Sequence, residues 1–311
     1  SIVGAATGLL GSLFHICINY TVSYREQFSQ HVEHASPYLS YFLIFCITAA
    51  MGAFAYYLVQ RFAPETGGSG IPEVEGALLN LRPVRWWRVI PVKFFGGLGA
   101  LGSGMVLGRE GPTVQIGANL GKMTADLCKV KNNESLHTLI ATGAGAGITA
   151  AFNAPLSGIL FVIEEMRPEF TYTKASIKAV FVGCITSCMV YQFIMGSNPI
   201  LDMGTFLAAP LKSVWIYIFL GLFLGLIGSL SNSLILTLRR ILGLFYQKKQ
   251  YFFPLTGAVL AGTFGVLSLL KPEMTGGGFA ILPNLVDGMT MFYPLLILLC
   301  LRFIATILCF G

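Results

Sequence analysis

The chain has 311 residues, 55% of them hydrophobic and only 11% charged, with a mean hydropathy of +0.72. Soluble domains carry roughly a quarter charged residues, so these values exclude an ordinary water-soluble fold. The formal net charge of +6 would suit a nucleic acid partner in a soluble protein. Here the cations fall between apolar blocks, as Arg82, Arg85 and Arg88, then Lys129 and Lys131, Arg239 and Arg240, Lys248 and Lys249. That is the pattern of loops flanking membrane spans, so a lipid bilayer replaces nucleic acid as the expected partner.

In chain order the apolar blocks cover residues 2–18, 38–59, 89–107, 179–195, 214–238, 252–270 and 291–310. A membrane-crossing helix needs about 20 apolar residues, and these blocks run at or near that length. The expectation is an all-α polytopic membrane protein. Most of the seven cysteines lie inside the blocks and none forms a C-x-x-C pair. They read as small apolar side chains, with no disulfide, metal or cofactor expected. Ser1 begins inside an apolar pattern and Gly311 ends inside another, so the chain reads as a fragment lacking both natural termini.

Three short matches recur in the same order along the chain. Residues 8–13 resemble 225–230. Pro64-Glu65-Thr66-Gly67-Gly68 resembles Pro272-Glu273-Met274-Thr275-Gly276-Gly277, and Lys93-Phe94 resembles Arg302-Phe303. Together they divide the chain into a first membrane repeat over 1–200 and an incomplete second repeat over 212–311. Repeats are common in transporters, which place the substrate site between them. Small residues spaced by four, such as Gly4 and Gly8, Gly104 and Gly108, Gly117 and Gly121, and Gly221 and Gly225, let helices approach closely in lipid. Glycine runs beside proline break helices at membrane depth, which is tolerated where the backbone lines a cavity.

Two such breaks carry the candidate chemistry. In Gly68-Ser69-Gly70-Ile71-Pro72-Glu73, Ser69 is a cap candidate and Pro72 suits a first helical turn. The helix that follows, residues 73–81, is too short to span. Its N-terminus therefore lies within the membrane, offering backbone N–H groups and the positive dipole end to an anion. The alternative is an ordinary capped helix start. Gly108-Arg109-Glu110-Gly111-Pro112 repeats the design ahead of a short helix over 113–122. Glu110 there can occupy an anion site when ionised and leave when protonated, or can simply stabilise the dipole beside Arg109. A third cluster, Ile163-Glu164-Glu165-Met166-Arg167-Pro168, pairs a proton-passing carboxylate reading with a surface charge cluster. Lys93 lies within an apolar block, either to favour anions or to pair with a glutamate. His31-Val32-Glu33-His34 reads as a solvated loop and not as a metal site.

The two glycine–proline motifs, with the context up to Pro168, resemble the CLC family of chloride channels and chloride/proton exchangers. The likeness covers essentially the whole chain and is similar to bacterial members. It implies two inverted-topology repeats with broken and re-entrant helices, one anion pathway per subunit, a homodimer, and a multi-pass place in a cell membrane, the bacterial inner membrane. Carried over, Ser69, Gly70 and Ile71 would bind chloride at the centre. Arg109, Glu110 and Gly111 would form the outer site, with Glu110 as the gate. Glu165 would transfer protons on the inner side. Serine in the first motif resembles chloride-selective members. The family's third motif and its site tyrosine would fall after Gly311. The resemblance points to chloride/proton exchange and not to enzymatic catalysis. A passive voltage- or pH-gated chloride channel of the same fold is the alternative, and a membrane-embedded enzyme acting on an anionic substrate is the more remote one.

Overall fold

The computed structural model describes residues 1–33, 37–166, 173–198, 210–278, 281–282, 285 and 292–310. Among them are eleven α-helices and no strand. They are α1 (Ile2–Glu33), α2 (Pro37–Phe62), α3 (Ile71–Leu78), α4 (Trp86–Gly102), α5 (Glu110–Leu127), α6 (Asn133–Phe152), α7 (Pro155–Glu165), α8 (Lys174–Met195), α9 (Val214–Lys248), α10 (Phe252–Leu270) and α11 (Phe292–Phe310). Six are long and apolar enough to cross a membrane: α1, α2, α8, α9, α10 and α11.

The seventh expected block, 89–107, is not among these spans. Helix α4 contains Pro91 and stops at Gly102, and Gly104 adopts a φ of 95°. The chain then crosses to α5 as a non-helical turn. His31 lies in α1 and not in a loop, while His34 falls outside the described residues. Helix α5 continues to Leu127, beyond the predicted 113–122. Helix α3 closes at Leu78 because Asn80 turns left-handed (φ 59°) and the Leu81 and Arg82 N–H groups bond to the Gly76 carbonyl. At eight residues it is about 12 Å long, well short of the roughly 30 Å hydrocarbon core. Helix α9, at 35 residues, is roughly 52 Å long. It crosses tilted or projects beyond the core.

Local sequence sets several of these ends. The Asn132 side chain caps α6 by accepting the Glu134 N–H at 3.0 Å. Asn153 (φ 53°) ends α6, and Pro155 opens α7 at once. Thr173 caps α8 by accepting the Ser176 N–H at 3.1 Å. The Thr138 and Ser176 hydroxyls, 2.9 Å apart, bring the starts of α6 and α8 to one end of the molecule.

Glycine determines which helices meet. Gly117 of α5 lies against the Gly143 backbone of α6, Gly121 against Leu139, and Gly147 against Thr113. The Gly143–Gly147 run thus serves contact between continuous helices and breaks neither. Gly4 and Gly8 seat α1 on Gly183 and Ser187 of α8, and Gly52 seats α2 on α10. Around the α5–α6 contact, Val114, Ala144, Val162 and Cys184 form one buried apolar cluster. Phe14, Phe94, Leu101 and Leu120 join α1, α4 and α5 in another.

The turn at Pro64–Thr66 and the turn at Pro272–Met274 are built alike. Each is a 3-10 turn followed by two left-handed glycines, Gly68 and Gly70 (φ 73° and 93°) in the first, Gly276 and Gly278 (φ 64° and 86°) in the second. A cation from a later helix bonds to the carbonyls of each. Lys93 donates to Thr66 and Gly68, and Arg302 donates to Glu273, Thr275 and Gly276.

A side chain at the α5–α6 contact has no space. Gly143→Val is expected to push the helices apart at a cost of about 1–3 kcal/mol or more. The full-length protein in detergent should show a lower unfolding midpoint. An unchanged midpoint would mean that this backbone contact does not hold the helices together.

Candidate functional site

The first glycine–proline motif forms a tight turn at the N-terminus of α3. Gly70 is the cap residue, and its φ of 93° is one that L side chains rarely adopt. Ser69 therefore does not occupy the cap position that its residue type suggests. From one place earlier its hydroxyl accepts the Ile71 N–H at 3.2 Å. Helix α3 begins at Ile71, so the unpaired N–H groups of its first turn and its positive dipole end lie within the membrane.

The carbonyls of this turn are accounted for. Lys93, only 5% exposed, donates to the Thr66 oxygen at 3.0 Å and the Gly68 oxygen at 2.8 Å. Its partners are thus two carbonyls, where the sequence suggested a glutamate. Glu65 instead takes a bidentate pair from Arg85 at 2.9 and 2.8 Å. Gln115 of α5 donates to the Glu65 carbonyl at 2.8 Å and packs against Gly70, where an added Cβ would fall 2.6 Å from its oxygen. Sequence reasoning missed Gln115, and its position one turn beyond Pro112 was the available signal.

The second motif opens α5 directly against the first. Gly111 has no space for a Cβ because the Ser69 backbone lies there. The Glu110 side chain folds back over Gly108. Its carboxylate thus stands at the positive end of α5, beside Ser69 and close to the start of α3. Thr113 secures the first turn by donating from its hydroxyl to the Glu110 carbonyl at 2.8 Å.

A cavity of about 810 Å³ is lined by Ser69, Ile71, Gly111 and Glu110, with Lys93 and Arg239 also on its wall. Of the predicted site residues, these four are brought together. Gly70 is buried behind the turn against Gln115. Arg109 lines a separate cavity. Glu165, exposed at the end of α7, lines neither. Arg167 and Pro168 of its cluster lie outside the described residues. Among the described residues no group of His, Cys, Asp and Glu is placed to hold a metal ion.

Comparison with known proteins places this geometry. A family model described as voltage gated chloride channel matches residues 51–311. The chain is 47% identical over 312 residues to a protein of Salmonella paratyphi B named H(+)/Cl(-) exchange transporter ClcA, covering 100% of this chain and 66% of that protein. The Salmonella newport protein of the same name matches to the same degree. The chain thus spans about two thirds of the length of these relatives. Among solved structures, a slow cyanobacterial Cl-/H+ antiporter superposes with a TM-score of 0.90 and 35% identity, over 100% of this chain and 72% of that one. A CLC-type fluoride/proton antiporter superposes with a TM-score of 0.77 over 99% of this chain and 74% of its own, and at 19% identity it shows the shared fold alone.

Removing the Lys93 ammonium leaves two buried carbonyls without a donor, at roughly 1–3 kcal/mol each. Lys93→Met is expected to lower the unfolding midpoint and to weaken chloride binding measured by calorimetry on the full-length protein. Unchanged chloride affinity would show that the turn keeps its shape without this brace.

Proposed function

This chain belongs to the voltage gated chloride channel family, the CLC family, and from that premise we propose that its parent protein exchanges chloride for protons across a bacterial cell membrane. The observation that carries the reading is the meeting of Ser69 and Glu110 on one cavity, with Gly111 packed on the Ser69 backbone. Two helix N-termini supply N–H donors and positive dipole ends to the same space. Chloride gives up hydration water there and takes N–H groups of α3 and α5 and the Ser69 hydroxyl in exchange.

The Glu110 carboxylate competes for that positive end. While ionised it gains the charge–dipole attraction, about 0.3–1 kcal/mol in exposed settings and up to about 2 kcal/mol when partly buried. Protonation removes the attraction, and the side chain yields its place to an anion. Proton uptake and chloride occupancy are in this way alternatives at one position, which is the coupling an exchanger needs. Gly70 shapes the turn from behind.

Glu165 is the inner proton donor and acceptor in this reading. Helix α7 turns back along α6 toward the end where α6 and α8 begin, and Met166 packs beside Ile140. At that end stand Arg82, Arg88, Lys129, Lys131 and Lys174, with Trp86 bonded to Asp126 at 3.1 Å. Such a basic rim with interfacial tryptophan favours the cytoplasmic side. The twice-built turn with its buried cation supports two repeats, over 1–200 and 212–311. A homodimer belongs to the same proposal through the family likeness. A passive chloride channel of this fold would make no use of a carboxylate at Glu165.

The full-length protein in liposomes, given an outward chloride gradient, should drive protons uphill. Glu110→Gln should abolish proton movement while chloride still passes, and Glu165→Gln should reduce proton movement at least tenfold. Chloride flux in the unmodified protein without any proton movement would make it a channel and leave Glu165 as a surface charge.

A further inference from the structure

Arg109 and Glu110 are neighbours in sequence and serve different cavities. The second cavity, about 380 Å³, lies between α1, α8 and the start of α5, toward the end opposite the basic rim. Its polar lining is His15, Asn19, Arg109, Tyr191 and Asn198. Arg109 is its one charged group, and no carboxylate lines it among the described residues. Leu101 and Leu107 line both cavities and so form the wall between them.

The lining is rich in donors. A guanidinium carries five N–H groups and each asparagine amide two. His15 Nδ1 and the Tyr191 hydroxyl stand 2.7 Å apart, and either arrangement of that bond leaves a donor. If the hydroxyl donates to Nδ1, the imidazole carries its proton on Nε2. If Nδ1–H donates, the phenol O–H is left free. Tyr191 is 2% exposed, and the two rings stack at 6.1 Å between centroids, which fixes the pair. At about 30 Å³ per water, the cavity has room for about a dozen water volumes. An anion inside it keeps part of its hydration shell.

We propose that this cavity is an outer antechamber for a small inorganic anion, chloride or another halide, held partly hydrated by Arg109, the His15–Tyr191 pair and the Asn19 and Asn198 amides. It rests on the transport reading above, and it adds a site built from side chains ahead of the one built from helix N-termini. The positive cavity raises the local concentration of anions on its side of the Leu101–Leu107 wall before hydration is given up at Ser69.

Crystals of the full-length protein soaked in bromide test this by anomalous scattering. Two peaks are expected, one beside Ser69 and Glu110 and one beside Arg109 and His15. His15→Asp places a carboxylate in the antechamber and should remove the outer peak, keep the inner one, and raise the half-saturating chloride for flux roughly tenfold, the lower end of electrostatic focusing. Asn198→Asp, at an exposed position after α8, should do the same without touching helix packing. An inner peak with no outer peak in the unmodified protein would overturn the proposal. So would an outer peak that survives both substitutions with half-saturation unmoved, which would mark an adventitious ion only. An outer peak without an inner one would support the antechamber and overturn the reading of Ser69 and Glu110.

Discussion

Backbone that leaves helical geometry inside a bilayer has no water to bond, so each exposed carbonyl and N–H must find a protein partner or a ligand. The turn at residues 64–72 meets this constraint asymmetrically. Its carbonyls are taken by Lys93 at Thr66 and Gly68 and by Gln115 at Glu65. With the acceptors engaged from behind, the helix N-terminus is the part left to face the cavity. An anion is then the species that completes the site, and a carboxylate such as Glu110 is its natural competitor.

The asymmetry also requires close approach. Gly70 must admit Gln115, and Gly111 must admit the Ser69 backbone. A side chain at either glycine would separate the starts of α3 and α5 and divide one anion site into two weak helix ends. The long helices provide the rigidity for this. Glycine-mediated contacts lock α5 to α6 and α1 to α8, so the two motif turns are held by packed elements on every side. The second turn, with Arg302 in the place of Lys93, follows the same rule with a broader cation that reaches three carbonyls instead of two.

Adjacent residues of one motif act on opposite sides of an apolar wall. Glu110 extends over Gly108 into the larger cavity, and Arg109 extends into the smaller one with Leu101 and Leu107 between them. A short ion pair between these neighbours would cancel both charges. Separation leaves the carboxylate to the helix dipole and the guanidinium to a ring of neutral donors.

Much of this was legible in the sequence. Long apolar blocks require membrane helices because nothing else buries them. Glycines beside proline require breaks, and a carboxylate at the start of such a break requires a site that welcomes negative charge. Ser69, Glu110 and Gly111 follow from that logic, and the CLC likeness rests on the same residues. The partners of those residues were not legible. Lys93 bonds to carbonyls 25 and 27 residues away, Gln115 reaches back 50 residues, and His15 meets Tyr191 across 176. Backbone carbonyls have no residue identity to read, and contacts at such separations depend on which helix faces pack. Whether Gly143–Gly147 breaks a helix or joins two was likewise decided by the neighbour, since glycine permits both and only the Gly117 backbone opposite selects one. Residue type thus determined which groups needed satisfaction in the membrane, and tertiary packing decided which partner provided it.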